Sequence, residues 1–437
     1  MIVGHFSTYP HGGAAIAASR FHDELRAQRI DSRFYYALCD RKPPEDASYL
    51  PVPWAAKSKW QSIAPWHTES ARRQRRQSRQ LYDLHLADRD ENQGPFSMAQ
   101  LPTATRLDWP QINADVVHLH WLAFAADYAS FFGSIPRNVP IVWTLHDMNA
   151  FTGGCHFSSG CDRFKGACGA CPQVLSPAIS DVSNHSHALK TRTLKSRQIH
   201  VIAPSKWMLN LAKASPIWPD QTVFSQVRYG MDLQVFRPIA KQTARAKLGI
   251  DSCVRLIGFG ADNIRDERKG IGCLLDSLDR LPADSNLEAI VFGAGKLDRT
   301  PRSLRKLHQF GFVDDQATQA AIYSACDFVI VPSREDNQPS VGLEAMACGT
   351  PVVAFDTGGI KEFVQAGSTG MLAPVGDKTR LAEAIQWMLN HPEARRHMGE
   401  RSRLTILRDF DITHQSAQYL QIYKTLLASR QRLARAG

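Results

Sequence analysis

"FVIVPSREDNQPSVGLEAMACGTPVVAFD", residues 328–356, carries the pattern that decides the fold. It opens on an apolar, β-branched run that ends at Pro332-Ser333 and passes through a polar turn. A helix is predicted from about Ser340 through Cys348, ended by Gly349 with Thr350-Pro351 beyond. A second β-branched run, PVVAF, follows. Strand, turn, helix and strand in this order form a crossover unit, and continuous apolar strands suit a parallel sheet covered on both faces.

The turn and the helix start hold the polar chemistry. Ser340 is placed to cap the helix or to offer its hydroxyl to a ligand. The N–H groups at Ser340 and Val341, polarised by the helix dipole, make a seat for phosphate. Glu344 lies one turn further on, where a carboxylate accepts the hydroxyls of a ribose. Asp336 or its neighbour Glu335 projects from the turn toward whatever the phosphate carries. That layout suits a nucleotide sugar.

Working outward, the chain shows two successive α/β series. DVVHLHW (115–121), PIVWTLHD (140–147) and IHVIAPS (199–205) read as parallel strands ending in polar residues. MIVGHFS (1–7) precedes them, followed by Gly12-Gly13 and an amphipathic helix, a strand–turn–helix opening with N–H groups at the helix start. The pattern breaks near YGMDLQVFRP (229–238). It restarts with VRLIGFG (254–260), LEAIVFGAG (287–295) and the opening stretch. The expectation is an α/β protein of two doubly wound, Rossmann-like domains facing each other across a cleft. The first spans 1–230, with an irregular insertion at 41–100 and a cysteine-rich loop at 150–175. The second spans 231–410, and a helix over 411–437 returns to the first. At 437 residues, two domains also fit the length.

His118, His120 and His146 fall at or near strand ends, the side on which open α/β sheets bind ligands. His146-Asp147 is a candidate site element, whereas His118, inside its strand, suits a core role. RDERKG (265–270) follows the first strand of the second series, so Lys269 reaches the same cleft and meets a diphosphate as a point charge. Arg265 and Arg268 read as members of a solvated basic loop.

Charge and composition narrow the partners. The formal charge of +10 favours anionic partners. Residues 72–79, RRQRRQSR, hold five arginines and no acid, a solvated face or a contact with an anionic membrane. No aromatic-rich module accompanies the run, which speaks against nucleic acid. No apolar stretch is long enough to span a bilayer, and the start lacks a signal-peptide pattern, so a cytoplasmic protein is expected.

Taken in order, these elements resemble the family-4 glycosyltransferases of the GT-B fold. The resemblance rests on the glycine-containing first turn, TLHD (144–147), YGMD…FRP (229–238), RKG (268–270), GFV (311–313) and GLEAMACGTPVVA (342–354). It implies a retaining glycosyltransferase that moves a sugar from a nucleotide-sugar donor to a glycan or polyprenyl-linked glycan. The setting implied is bacterial exopolysaccharide or lipopolysaccharide synthesis, peripheral on the inner face of the plasma membrane. It implies that Asp336 holds the donor sugar, Ser340 and Val341 N–H groups meet the diphosphate, and Glu344 binds the ribose. Lys269 neutralises the leaving group, Phe312 and Val313 flank the base, Gly12 and Gly13 close over the phosphates, and His146 lies near the sugar. No cofactor or metal is implied for catalysis. The register of the first acid stays open between Glu335 and Asp336, and GFGADN lacks the family's usual arginine, for which Arg265 and Arg268 are the candidate substitutes. A GT-B epimerase, a phosphorylase and a non-catalytic nucleotide-sugar-binding regulator are the rival readings.

Cys155, Cys161, Cys168 and Cys171 form a C-x5-C-x6-C-x2-C run directly after TLHD. In a cytoplasmic protein this favours a structural zinc; free or redox-active thiols and disulfides are the alternatives.

Overall fold

The computed structural model describes residues 1–39, 42–55, 80, 86, 89, 94–102 and 104–436. The arginine run at 72–79 lies outside the described residues. The chain divides into two compact units, Met1–Val227 with Ser416–Gly437, and Arg228–Gln415. Each is built on its own parallel sheet.

The first unit holds strands β1 (Ile2–Ser7), β2 (Asp31–Tyr36), β3 (Tyr49–Pro51), β4 (Val116–Leu119), β5 (Ile141–Thr144), β6 (Ile199–Ala203) and β7 (Val223–Gln226). Their order is β3-β2-β1-β4-β5-β6-β7 and every pair is parallel. The segment 41–100, expected to be an irregular insertion, contributes edge strand β3. Side chains alternate across the sheet. Phe6, Val117, Leu119, Ile141 and Trp143 pack on one face. Val3, Val116, Val142 and Ile202 meet Phe21, Tyr419 and Tyr423 on the other. Phe21 belongs to the helix Gly13–Ala27, and the two tyrosines to the terminal helix Ile412–Ala436.

The second unit holds β8 (Arg255–Asn263), β9 (Asp284–Ala294), β10 (Leu304–Gln309), β11 (Phe328–Val331), β12 (Val352–Phe355) and β13 (Gly370–Ala373). Their order is β10-β9-β8-β11-β12-β13, again all parallel. One face buries Leu256, Ile290, Val329 and Val352, the other Ile257, Phe328, Ile330 and Val353. Burial on both faces explains why these strands read as unbroken apolar runs.

In each sheet the strand order reverses direction once, between β1 and β4 and between β8 and β11. Loops leaving those neighbouring strands diverge at their carboxyl ends and leave a crevice there. No helix among the described residues is long and apolar enough to cross a membrane.

Candidate active site

In the second unit the reversal lies between β8 and β11, so the segments after these strands meet. The segment after β8 carries Arg268 and Lys269; the segment after β11 carries Asp336. The Lys269 ammonium lies 2.7 Å from Asp336 Oδ2, and Arg268 Nη1 lies 3.3 Å from the same oxygen. Ser333 Oγ donates to it at 3.1 Å, and the Asn337 N–H donates to Oδ1 at 3.0 Å. Burial opposes ionisation of Asp336, yet Lys269 and Arg268 outweigh it and hold the carboxyl below its usual range.

Backbone close approach makes this pairing possible. Gly270 has φ +76°, and a Cβ there would stand 1.9 Å from the Pro332 carbonyl oxygen. The Arg334 N–H donates to the Arg268 carbonyl at 2.7 Å, stitching the two segments together. Arg268 is therefore part of the site and not a solvated loop residue, a correction to its sequence reading. Its guanidinium also donates to the Glu335 carbonyl at 3.0 Å and to Asp266 at 3.1 Å. Asp336 is the acid whose carboxylate meets Lys269; Glu335 offers its carbonyl to Arg268.

The helix after the turn runs Ser340–Ala347, with Pro339 at the N-cap and no side-chain cap. The expectation that Ser340 caps the helix is thus corrected: Pro339, with its fixed φ, takes the cap position and Ser340 opens the helix. Ser340 and Val341 belong to the first turn, whose N–H groups have no intrahelical acceptor. Glu344 is 3% exposed, and its Oε2 accepts from the Tyr323 hydroxyl at 2.7 Å. Tyr323 had no signature in the sequence; it reaches Glu344 from the helix Gln316–Ala325. Phe312 follows β10 and is 38% exposed, while Val313 packs against the core.

The first unit gathers its own polar groups where β1, β4 and β5 end. Gly12 has φ +88° and caps the helix Gly13–Ala27; a Cβ at Gly12 or Gly13 would meet nothing within 4 Å. His146 follows β5, and its Nε2 lies 3.0 Å from His120 Nδ1. His120 Nε2 lies 3.0 Å from His5 Nδ1. Burial depresses His146 to about 4 although the Asp147 charge opposes this, and His5, His118 and His120 are driven well below their ordinary value by burial. His118 is fully buried and bonds Thr144 Oγ1 at 2.7 Å and the Tyr423 hydroxyl at 2.6 Å.

Asp147 Oδ2 accepts from Trp121 Nε1 at 2.6 Å and pairs with His156 Nδ1 at 2.5 Å. Burial opposes the charge on Asp147, and His156 outweighs it, holding the carboxyl below the usual range. Trp121 and His156 were not singled out from the sequence, although HLHW and GCHF place both beside motifs that were. The cysteines at 155, 161, 168 and 171 are not joined by disulfides in this structure. Among the described residues, the metal-capable trio with ligand atoms all within 4.8 Å of one another is His5, His118 and His120.

Known proteins resemble the chain in sequence over its second unit and in fold over nearly its whole length. The family model described as "Glycosyl transferases group 1" matches residues 254–391. D-inositol 3-phosphate glycosyltransferase 1 of Catenulispora acidiphila is 34% identical over 206 residues, 43% of this chain and 46% of that protein. The chain thus spans about half the length of the curated relatives it matches. Sucrose-phosphate synthase from Thermosynechococcus elongatus superposes with TM-score 0.62 at 18% identity, covering 98% of this chain and 100% of the other. Anabaena Alr3699/HepE, solved with UDP-glucose, superposes with TM-score 0.62 at 16% identity, covering 97% of this chain and 100% of the other. The chain has the GT-B fold, and its residues 254–391 are similar to the group 1 glycosyl transferases.

Proposed function

We propose that the protein is a retaining glycosyltransferase that takes a sugar from a nucleotide-sugar donor held by the second unit. The acceptor is a glycan or a polyprenyl-linked glycan of bacterial exopolysaccharide or lipopolysaccharide synthesis. One observation carries the reading: Lys269 and Arg268 converge on Asp336 at the strand-order reversal, beside a helix start.

A donor diphosphate bound at Ser340 and Val341 gains negative charge as its bond to the sugar breaks. Lys269 and Arg268 are positioned cations for that charge, held ready by Asp336 before a ligand arrives. Asp336 then turns to the sugar hydroxyls, Glu344 to the ribose and Phe312 with Val313 to the base. Within the first unit, His146 with its neighbours is assigned to the acceptor side. The sugar leaves its diphosphate and joins an acceptor oxygen, whose proton passes to the departing phosphate or to water. Charge neutralisation by side chains and helix N–H groups supplies the electrostatics without a catalytic metal.

A panel of nucleoside diphosphates tests the reading by thermal shift. The matching product, at a hundred times its dissociation constant, adds about 2.7 kcal/mol of stability. Glu344→Ala should weaken that ligand by roughly tenfold or more, since a charge-assisted hydrogen bond is worth about 1.5–3 kcal/mol. No stabilisation by any nucleoside diphosphate, together with no hydrolysis of any nucleotide sugar, would defeat it.

A further inference from the structure

The loop between Asp147 and the helix Val182–Leu194 is long, and its regular structure is confined to short 3-10 turns at Asn149–Phe151, Arg163–Lys165 and Pro172–Val174. Loops of this length inside a compact unit are held by something beyond local turns. Met148, Ala150, Phe151 and Phe164 anchor this loop in the main core, where Cys168 also packs, and Cys155 and Cys171 lie in a small satellite cluster with Phe96, Met98, Val174 and Val182. Cys168, Gly169 and Ala170 have φ of 54°, 102° and 44° in succession, so two residues with side chains hold left-handed backbone.

The four thiols share one neighbourhood: Cys155 interacts electrostatically with Cys161, Cys168 and Cys171. Lys190 supplies a further observation. It is fully buried, and its Nζ donates to the carbonyl oxygens of Asn149 and, at 3.0 Å, Thr152. Among the described residues it makes no ion pair with a carboxylate. The groups that act on its charge are Cys155, Cys168 and Asp147. A buried ammonium facing thiols suits an anionic cluster.

We propose that Cys155, Cys161, Cys168 and Cys171 form a structural zinc site whose net negative charge is partly offset by Lys190. Four thiols bind one Zn2+ and release four protons, giving a tetrathiolate of net charge −2; nothing is oxidised or reduced. With four sulfurs at about 2.3 Å the metal keeps no open position for water. No three of these sulfurs lie within 4.8 Å of one another, so binding entails side-chain rotation within the loop. The histidine trio that does satisfy that distance is a poorer site. His118 is bonded through both ring nitrogens, as is His120, and leaves no lone pair in place for a metal. The zinc loop also bears His156, which grips Asp147 next to His146.

The test uses the full chain, expressed with zinc and purified without chelator. Elemental analysis should find about one zinc per chain. Cys161→Ser and Cys168→Ser should each lose it, while Cys253→Ser, at an exposed cysteine elsewhere, should retain it. Protein grown with cobalt should show sulfur-to-cobalt charge-transfer bands and the visible bands of tetrahedral cobalt, a readout on the unaltered chain. Zinc-free protein without those cobalt bands would overturn the proposal, as would full zinc content in both serine variants. Nucleoside-diphosphate binding measured on the same samples separates this outcome from a failure of the glycosyltransferase reading.

Discussion

A buried carboxylate with cations at 2.7 and 3.3 Å from one oxygen does two things at once. It stays ionised, and it holds two flexible cations in one place. Because the folded pKa of Asp336 is depressed, its stabilising contribution is complete above the unfolded carboxyl value. That contribution is lost as pH falls through the folded one. The function we assign to Lys269 is realised in the transition state, when charge grows on the leaving diphosphate. Lys269→Ala should therefore lower kcat by about 10²–10³-fold, the cost of removing one preorganised donor, with a smaller change in donor KM. Steady-state kinetics on the cognate donor checks this; unchanged kcat with only a raised KM would remove Lys269 from the chemistry.

At the scale of elements, the two loops meet because β8 and β11 are neighbours and Gly270 lets their trailing segments touch. Gly270→Ala forces an L-residue into φ +76° and drives a Cβ against the Pro332 carbonyl. The left-handed backbone alone costs about 1–2 kcal/mol, and the contact adds to it. Relief requires the Lys269 segment to move away from Asp336. The variant should show a lower thermal midpoint and weaker binding of nucleoside diphosphate. A variant with wild-type stability and affinity would show that the close approach is dispensable.

These elements also mark what was readable beforehand. Buried parallel strands announce themselves as β-branched runs, so the inner strands of both sheets were legible, while the part-exposed outer strands β2, β3, β7, β10 and β13 were not. The order of the loops put Lys269 near Asp336 through topology alone. Which of Arg265, Arg268 and Lys269 faces the carboxylate depends on the turn Glu267–Lys269, and periodicity does not encode that. Tyr323 escaped because its partnership with Glu344 joins two helices. Ser340 misled because serine is a good cap in general, while Pro339 beside it fixes the backbone there. The histidines were seen singly; only the register pairing of His5 with His118 makes them neighbours.

Across the molecule, the two units respond to acid in different ways. The first unit buries a set of histidines that fold in the neutral form. Burial takes His22 and His146 down to about 4, and takes His5, His118 and His120 well below their ordinary value. Unfolded chains hold ordinary histidines near 6.5, so below that pH the unfolded state binds more protons and stability falls. The window runs from about 6.5 down toward 4. In the second unit the depressed groups are acids such as Asp327 and Asp336, whose contribution survives until lower pH. Of the nine tryptophans only Trp387 lies in Arg228–Gln415, while Trp54, Trp109, Trp121, Trp143, Trp207 and Trp218 lie among the described residues of the first unit, so tryptophan emission follows the first unit almost alone. Its thermal midpoint should drop steeply between pH 7 and 5, while the second unit, followed by stabilisation with a bound nucleoside diphosphate, keeps its transition. A tryptophan midpoint that stays level across this range would mean that the histidines bind protons in the folded state, and that the buried array is not held neutral.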